Sequence, residues 1–196
     1  DADAGVQRTS GDTDCEMVMR ELRCEGVSLR RLAENFGTPL YVYSYGHIVG
    51  QHRALDRAFG RYPHLLCYAV KANSNLAVLR ALANAGSGFD IVSGGELYRV
   101  VQAGGNPRKT VFSGVGKTRD EIAYALRLGV YAFNVESESE LRAINDVSRR
   151  MRRRAPIAVR VNPGVDPEAH HYISTGKPES KFGIAMKHAV EVYGDA

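Results

Sequence analysis

Thr110-Val-Phe-Ser-Gly-Val-Gly-Lys-Thr-Arg-Asp-Glu121 compresses a strand, a turn and a helix start into one short stretch. Thr110-Val-Phe112 is β-branched and aromatic, a composition suited to a pleated, buried strand. Thr118-Arg-Asp-Glu121 fits a capping box. In that motif the Thr hydroxyl accepts from the amide three residues on, and the Glu reaches back to the cap amide. A helix is expected from Arg119 to Leu128.

The same order repeats on both sides. Upstream, Phe89–Val92 reads as a strand, and Ser93-Gly-Gly-Glu96 opens a helix that runs from Glu96 to Ala103. Leu65–Lys71 reads as a strand before a helix through Leu76, Leu79, Leu82 and Ala83, with apolar residues three and four apart. Pro39–Tyr43 reads as the first strand, with a helix over His47 to Phe59. Downstream, Tyr131–Val135 is a strand, and Ser137-Glu-Ser-Glu140 opens a helix over Glu138 to Arg150. Ile157–Val161 is a sixth strand. A long polar loop follows from Asn162 to about Lys181, then a short helical pattern from Ala185 to Tyr193.

Strict βα alternation builds either an open doubly wound sheet or a closed barrel. A dinucleotide-binding sheet would carry its glycine fingerprint after the first strand. Ser44-Tyr45-Gly46-His47 stands there instead, so the pattern predicts a TIM-type barrel. Such a barrel has eight strands. Six are legible, so a truncated (β/α)8 barrel of about six βα units is expected. Residues 26–196 would form the partial barrel domain, and residues 1–25 a tail with a first strand segment. The polar opening Asp1 to Asp14 reads as a disordered tail.

The chain has 196 residues, 44% of them hydrophobic and 24% charged, as in an ordinary globular domain. The net charge of +4 is concentrated in Arg149-Arg150-Met151-Arg152-Arg153-Arg154. With no nucleic-acid motif beside it, this run is expected to be the positive end of a helix, not a nucleic-acid or membrane patch. Three cysteines, Cys15, Cys24 and Cys67, have neither disulfide-framework nor metal-ligand spacing, so a reducing, cytoplasmic setting is expected. No apolar run approaches the ~20 residues of a membrane span, and no signal peptide is visible.

Tyr68-Ala-Val-Lys-Ala-Asn73 carries the chemistry. Lys71 is expected at the C-terminal end of an apolar strand, where barrel active sites are built. Burial there favours the neutral amine, the nucleophile that forms imines. Alternation would put Lys71 on one face with Ala69 and Cys67, and small Ala69 would leave room for a flat ring. A lysine that merely snorkels from a strand end fits the position equally well. On the last strand, Arg160 is a lone charge sharing a face with Ala158. It is expected at the barrel mouth or in an ion pair with Asp90 or Glu136. Ser93-Gly94-Gly95 reads as a tight strand-to-helix turn. His170-His171 is not expected to bind metal.

Tyr68-Ala-Val-Lys71-Ala-Asn73 resembles the cofactor-lysine motif of the barrel-type pyridoxal-phosphate decarboxylases with an alanine-racemase-like fold. These include enzymes acting on diaminopimelate, ornithine and arginine. Further stretches match in order: Gly26-Val-Ser-Leu29, Gly37-Thr-Pro-Leu-Tyr-Val-Tyr43, Gly88–Leu97, Ser113-Gly114 with Lys117-Thr118, Asn134–Ser137, Arg160–Gly164 and Ser180–Gly183. The resemblance implies pyridoxal 5'-phosphate as cofactor, held by Lys71 as a Schiff base. It also implies that Lys71 assists proton transfer, that Asp90 lies near the cofactor and that Arg160 lies near its phenolic oxygen. The implied reaction is decarboxylation of meso-2,6-diaminopimelate to L-lysine. The alternatives are ornithine, arginine or carboxynorspermidine as substrate, or a non-catalytic regulatory relative. The implied assembly is a homodimer acting on a small amino acid. Tyr172–Lys181 resembles a mobile active-site loop, with Lys181 pairing across the dimer. The family's phosphate-binding glycines, acidic partner for the ring nitrogen and C-terminal β-domain are expected beyond residue 196. The isolated chain is therefore expected to bind cofactor weakly and to turn over nothing.

Overall fold

The computed structural model describes residues 15–18, 21–163 and 183–194. The expected Asp1–Asp14 tail, His170-His171, the Tyr172–Lys181 loop and Lys181 lie outside the described residues. The chain divides into two compact units, Asp1–Gly60 and Arg61–Ala196.

In the first unit, strands β1 (Cys15–Val18), β2 (Glu21–Cys24) and β3 (Val27–Ser28) form an antiparallel sheet in that order. Glu25 and Gly26, both at positive φ (50° and 77°), make the two-residue turn between β2 and β3. Ser28 caps α1 (Leu29–Phe36), its Oγ accepting from the Arg31 amide. Its hydroxyl also donates to Glu21, 2.5 Å away. That hydrogen bond, then the one from Arg23, holds the Glu21 carboxyl below the usual carboxylate range. Ser44 caps α2 (Tyr45–Phe59), and the Glu25 carboxylate accepts from the Ser44 hydroxyl and the Gly46 amide.

The second unit is a serial βα array. Its strands are β4 (Cys67–Ala69), β5 (Gly88–Ile91), β6 (Thr110–Phe112), β7 (Ala132–Val135) and β8 (Ile157–Val159). They form one parallel sheet in sequence order, joined through α3 (Leu76–Asn84), α4 (Gly94–Gln102), α5 (Arg119–Leu128) and α6 (Glu138–Met151). A doubly wound sheet reverses its strand order at a switch point. This one never does, so it is an arc of a barrel. Cys67 lies opposite Gly88, Phe89 opposite Thr110, and Val111 opposite Ala132. The same step of 21 residues recurs across β4–β5, β5–β6 and β6–β7, whereas Phe133 of β7 lies opposite Ile157 of β8, a step of 24.

Alternation along these strands separates two faces. Phe89, Ile91, Phe112, Phe133 and Val135 are all 0% exposed and make the core with Leu97, Val100 and Ile122 from the helices. The Phe112 and Phe133 rings stack at 5.9 Å. Each such side chain contributes about 2–3 kcal/mol on burial. The other face carries Ala69, Asp90, Val111, Asn134 and Ala158, all half-buried. This is the inner face of the arc.

Several expectations need correction. Pro39–Tyr43 has strand composition but joins no ladder among the described residues, and Tyr41 and Tyr43 are exposed. A strand exists only with a hydrogen-bonding partner, and composition does not supply one. The strand read over Leu65–Lys71 leaves its ladder after Ala69 and turns into a 3₁₀ turn, Val70–Ala72. The strand read over Ile157–Val161 is interrupted at Arg160. Its continuation β9 (Val161–Asn162) pairs in parallel with β10 (Ile184–Ala185), before α7 (Ala189–Gly194).

Of the three Ser/Thr-x-x-Glu helix openings, only Thr118–Glu121 forms a complete capping box. Ser93 and Ser137 do accept from the amides of Glu96 and Glu140. Their glutamates, however, reach one residue past the cap, to the amides of Val92 and Glu136. The arginine run does close a helix. Arg152 adopts the left-handed conformation after α6, and Arg153 Nη1 donates to the carbonyl of Leu126 near the end of α5 at 2.9 Å.

Candidate active site

The C-terminal ends of the strands carry the ionisable groups. Lys71 stands in the 3₁₀ turn after β4, and the turn is pinned on both sides. Val70 before it is 0% exposed. After it, the Tyr68 hydroxyl donates to the Asn73 carbonyl and the Asn75 amide donates to Asn73 Oδ1. Asn75 then caps α3 through the Ala77 amide, and Arg99 Nη1 reaches the Ser74 carbonyl. Lys71 itself is exposed. The expectation of a lysine enclosed on the strand face is therefore corrected. The chain has left the ladder before reaching it, and β4 lies at the edge of the five-stranded sheet.

Ala69 and Asp90 sit opposite each other on the inner face. Asp90 Oδ1 accepts from the Ser113 hydroxyl at 2.5 Å, and Ser113 Oγ accepts from Asn134 Nδ2 at 2.8 Å. An amide NH2 can only donate, so the serine proton is directed at Asp90. Three successive strand ends are thereby tied in one polar row. On β4, burial and then the Asp90 charge push the Cys67 thiol up.

Arg160 is held by Glu136. Nη1 lies 3.0 and 3.1 Å from the two carboxylate oxygens. Glu136 is nearly inaccessible, at 2% side-chain exposure, while Arg160 keeps 38%. Of the two ion-pair partners considered from sequence, Glu136 is the one observed here. Glu136 also accepts from the Gly114 amide at 3.1 Å. Behind it lies a group that sequence reading missed. Lys117, 0% exposed, donates from Nζ to the carbonyls of Gly114 and Asn134 and to Glu140. Its ammonium also lies 5.5 Å from the centre of the Phe112 ring. One signal was present: two carboxylates four residues apart, Glu136 and Glu140, directly after a strand.

Pyridoxal phosphate asks a protein for an amine for its aldehyde, a cation for its phenolate oxygen and space for a flat ring. The donor set fits. Lys71 offers an accessible amine, Arg160 a permanent cation that is partly exposed, and Ala69 a small side chain on the intervening face. Among the described residues, no group of three potential metal ligands converges, and no helix is long and apolar enough to cross a membrane.

A singly wound βα arc with its ionisable groups gathered at the C-terminal strand ends defines the chain as part of an enzyme-type barrel. More particularly, the chain belongs to the family of the pyridoxal-dependent decarboxylases, whose pyridoxal-binding domain matches residues 45–196. Pyridoxal phosphate is accordingly its cofactor, and the fold is the alanine-racemase-like barrel. The chain is 58% identical over 176 residues to the diaminopimelate decarboxylase of Pseudomonas aeruginosa, covering 90% of this chain and 42% of that protein. The solved structure of diaminopimelate decarboxylase from Helicobacter pylori, complexed with L-lysine, is similar with a TM-score of 0.83 and 42% identity. That match covers 85% of this chain and 42% of the other. A lysine/ornithine decarboxylase from Vibrio vulnificus, complexed with putrescine, is more distant, with a TM-score of 0.67 and 26% identity over 86% of this chain and 40% of the other. The chain spans about 42% of the length of the curated relatives it matches.

Proposed function

We propose that the protein is a pyridoxal-phosphate-dependent amino-acid decarboxylase that converts meso-2,6-diaminopimelate to L-lysine, with Lys71 as the residue that holds the cofactor. One observation carries the reading: an exposed lysine amine on a pinned turn at the C-terminal end of a barrel strand, two residues after Ala69, which pairs with Asp90. When bound, the cofactor supplies an electron sink for the pair released as the carboxylate carbon leaves. The protein's own groups do the rest. Lys71 Nζ tethers the cofactor, gives way to the substrate amine, and then moves a proton at the substrate's α-carbon. Arg160, always charged, holds the phenolate oxygen. Asp90, fixed by Ser113, presents a carboxylate to the inner face, and Ala69 leaves space for the ring. Diaminopimelate is favoured over ornithine by the difference between 58% and 26% identity. The working form in this reading is a cytoplasmic homodimer with residues 26–196 in the barrel domain. The family resemblance supports this.

Borohydride reduction of the purified protein with pyridoxal phosphate, followed by peptide mass mapping, tests the assignment. A phosphopyridoxyl mass on Lys71 is expected. In protein that carries the full length of its relatives, K71A should lower CO2 release from diaminopimelate by about 10³-fold or more. Label on another lysine with Lys71 unmodified would refute the role of Lys71. Faster CO2 release from ornithine or arginine would refute the substrate.

A further inference from the structure

Arg160 is a long, flexible side chain on an interrupted strand, between β8 and β9. Left alone, its guanidinium would sample many rotamers, and ordering it would cost up to about 2 kcal/mol. The structure supplies a rigid counterpart. Glu136 directly follows β7, is almost wholly buried, and receives Arg160 Nη1 on both oxygens. Three further contacts fix that carboxylate and its backbone. The Gly114 amide donates to Glu136 Oε1. The Glu136 amide donates to Glu140 Oε2 at 3.2 Å. The other oxygen of Glu140 is held by Lys117, whose ammonium is enclosed by two backbone carbonyls. Gly114 is the pivot: its φ is +92°, its amide serves Glu136 and its carbonyl serves Lys117.

The charges alternate along the row: Lys117, Glu140, Glu136, Arg160. Only the last keeps substantial exposure, at 38%. Three buried members thus brace one accessible cation. A braced salt bridge with no outward-facing end would be a stability device at best, and a costly one. In this row the guanidinium is the member that keeps exposure. We propose that Glu136 is a positioning residue: it fixes Arg160 so that the guanidinium is pre-organised to receive the cofactor's phenolate oxygen, with Lys117 and Glu140 holding Glu136 in turn. The inference rests on the reading of Arg160 as part of the cofactor site.

The test compares R160Q, E136Q, E136D and the double variant E136Q/R160Q in the purified protein. It reads the dissociation constant of pyridoxal phosphate on reconstitution of the cofactor-free protein, the pH dependence of the bound cofactor's absorption band, and urea unfolding. R160Q and E136Q are each expected to weaken cofactor binding about tenfold, on the scale of outer partners at other sites. Both should move the pH profile of the band. The double variant should bind no more than about twofold worse than R160Q, because the two residues act as one unit. E136D keeps the charge but retracts it by one methylene, and should fall between wild type and E136Q. An E136Q protein that is less stable but has unchanged affinity and an unchanged band profile overturns the positioning role. So does a double variant whose loss is the product of the single losses. If E136Q does not fold, E136D decides, and wild-type affinity and band profile for E136D overturn the role. If R160Q itself leaves affinity and band unchanged, the placement of Arg160 in the site fails, and this inference fails with it. That outcome is distinct from one in which only E136Q is silent.

Discussion

Replacing Lys117 with methionine should be among the most damaging single changes in the second unit. The side chain is 0% exposed and its ammonium serves three acceptors. Methionine fills similar space but donates nothing. The first consequence is a stranded Glu140, which is 9% exposed. Breaking a buried pair by removing one partner costs about 3–5 kcal/mol. The Gly114 and Asn134 carbonyls also lose their donor, at about 1 kcal/mol each when partly relieved by neighbours. Glu140 still accepts from the Glu136 amide, which tempers its isolation. A loss of about 4–5 kcal/mol is therefore expected for K117M. In K117M/E140Q the charge is gone and the glutamine oxygen still serves the Glu136 amide, so the loss should shrink to about 2 kcal/mol. Urea unfolding followed by circular dichroism measures both, with midpoints compared at equal slope. A loss below about 1.5 kcal/mol for K117M, or a double variant no more stable than K117M, would refute the reasoning. Either result would mean that the buried pair is not energetically coupled.

Two further outcomes follow from the same geometry. Gly88 should not tolerate alanine. An added Cβ would collide with the Lys109 backbone carbonyl and lie 2.8 Å from Cys67 Sγ, so G88A should cost about 2–3 kcal/mol in urea unfolding, and a neutral result would contradict this packing. Burial pushes the Glu121 carboxyl up, but the amides of Thr118 and Gly94 and the Thr118 hydroxyl together hold it below its usual 4.5. A depressed folded value means a contribution present above pH 4.5 and lost as the pH falls below it. E121Q should therefore lose less stability than wild type on acidification below pH 4.5. Parallel acid-unfolding curves would count against that assignment.

The sequence was most informative where local chemistry and tertiary structure agree. The Thr118 box starts α5 at Arg119, and the β-branched and aromatic Thr110–Phe112 is a strand over those same residues. It misled where composition alone was legible. Pro39–Tyr43 has the residues of a strand, but partners for its backbone cannot be read locally. Lys71 looked like a strand residue because apolar character continues through Val70. That valine is instead the buried anchor of the turn that lifts the lysine out. The short strands β1 to β3 and helix α1 offered too few residues for periodicity to register. Lys117, Glu136 and Glu140 are distant along the chain from Arg160. Only the parallel register of β6 and β7, with the Gly114 turn beside them, converts four scattered charges into one row.

The recurring register has a consequence for how such a chain can assemble and change. From β4 to β7 each strand closes onto its predecessor over the same 21-residue span, and β8 closes onto β7 over 24, so successive closures carry nearly equal entropic cost, about 2.7 kcal/mol apart from a constant. No step waits for a distant segment, and the array can grow by adding one unit at a time, as repeat arrays do. The same arithmetic makes each crossover an independent place for length variation. Doubling one of them would cost only about 0.6 kcal/mol and leave the neighbouring registers untouched. Loops at the rim can therefore lengthen or shorten without disturbing the strands that hold Asp90 and Asn134.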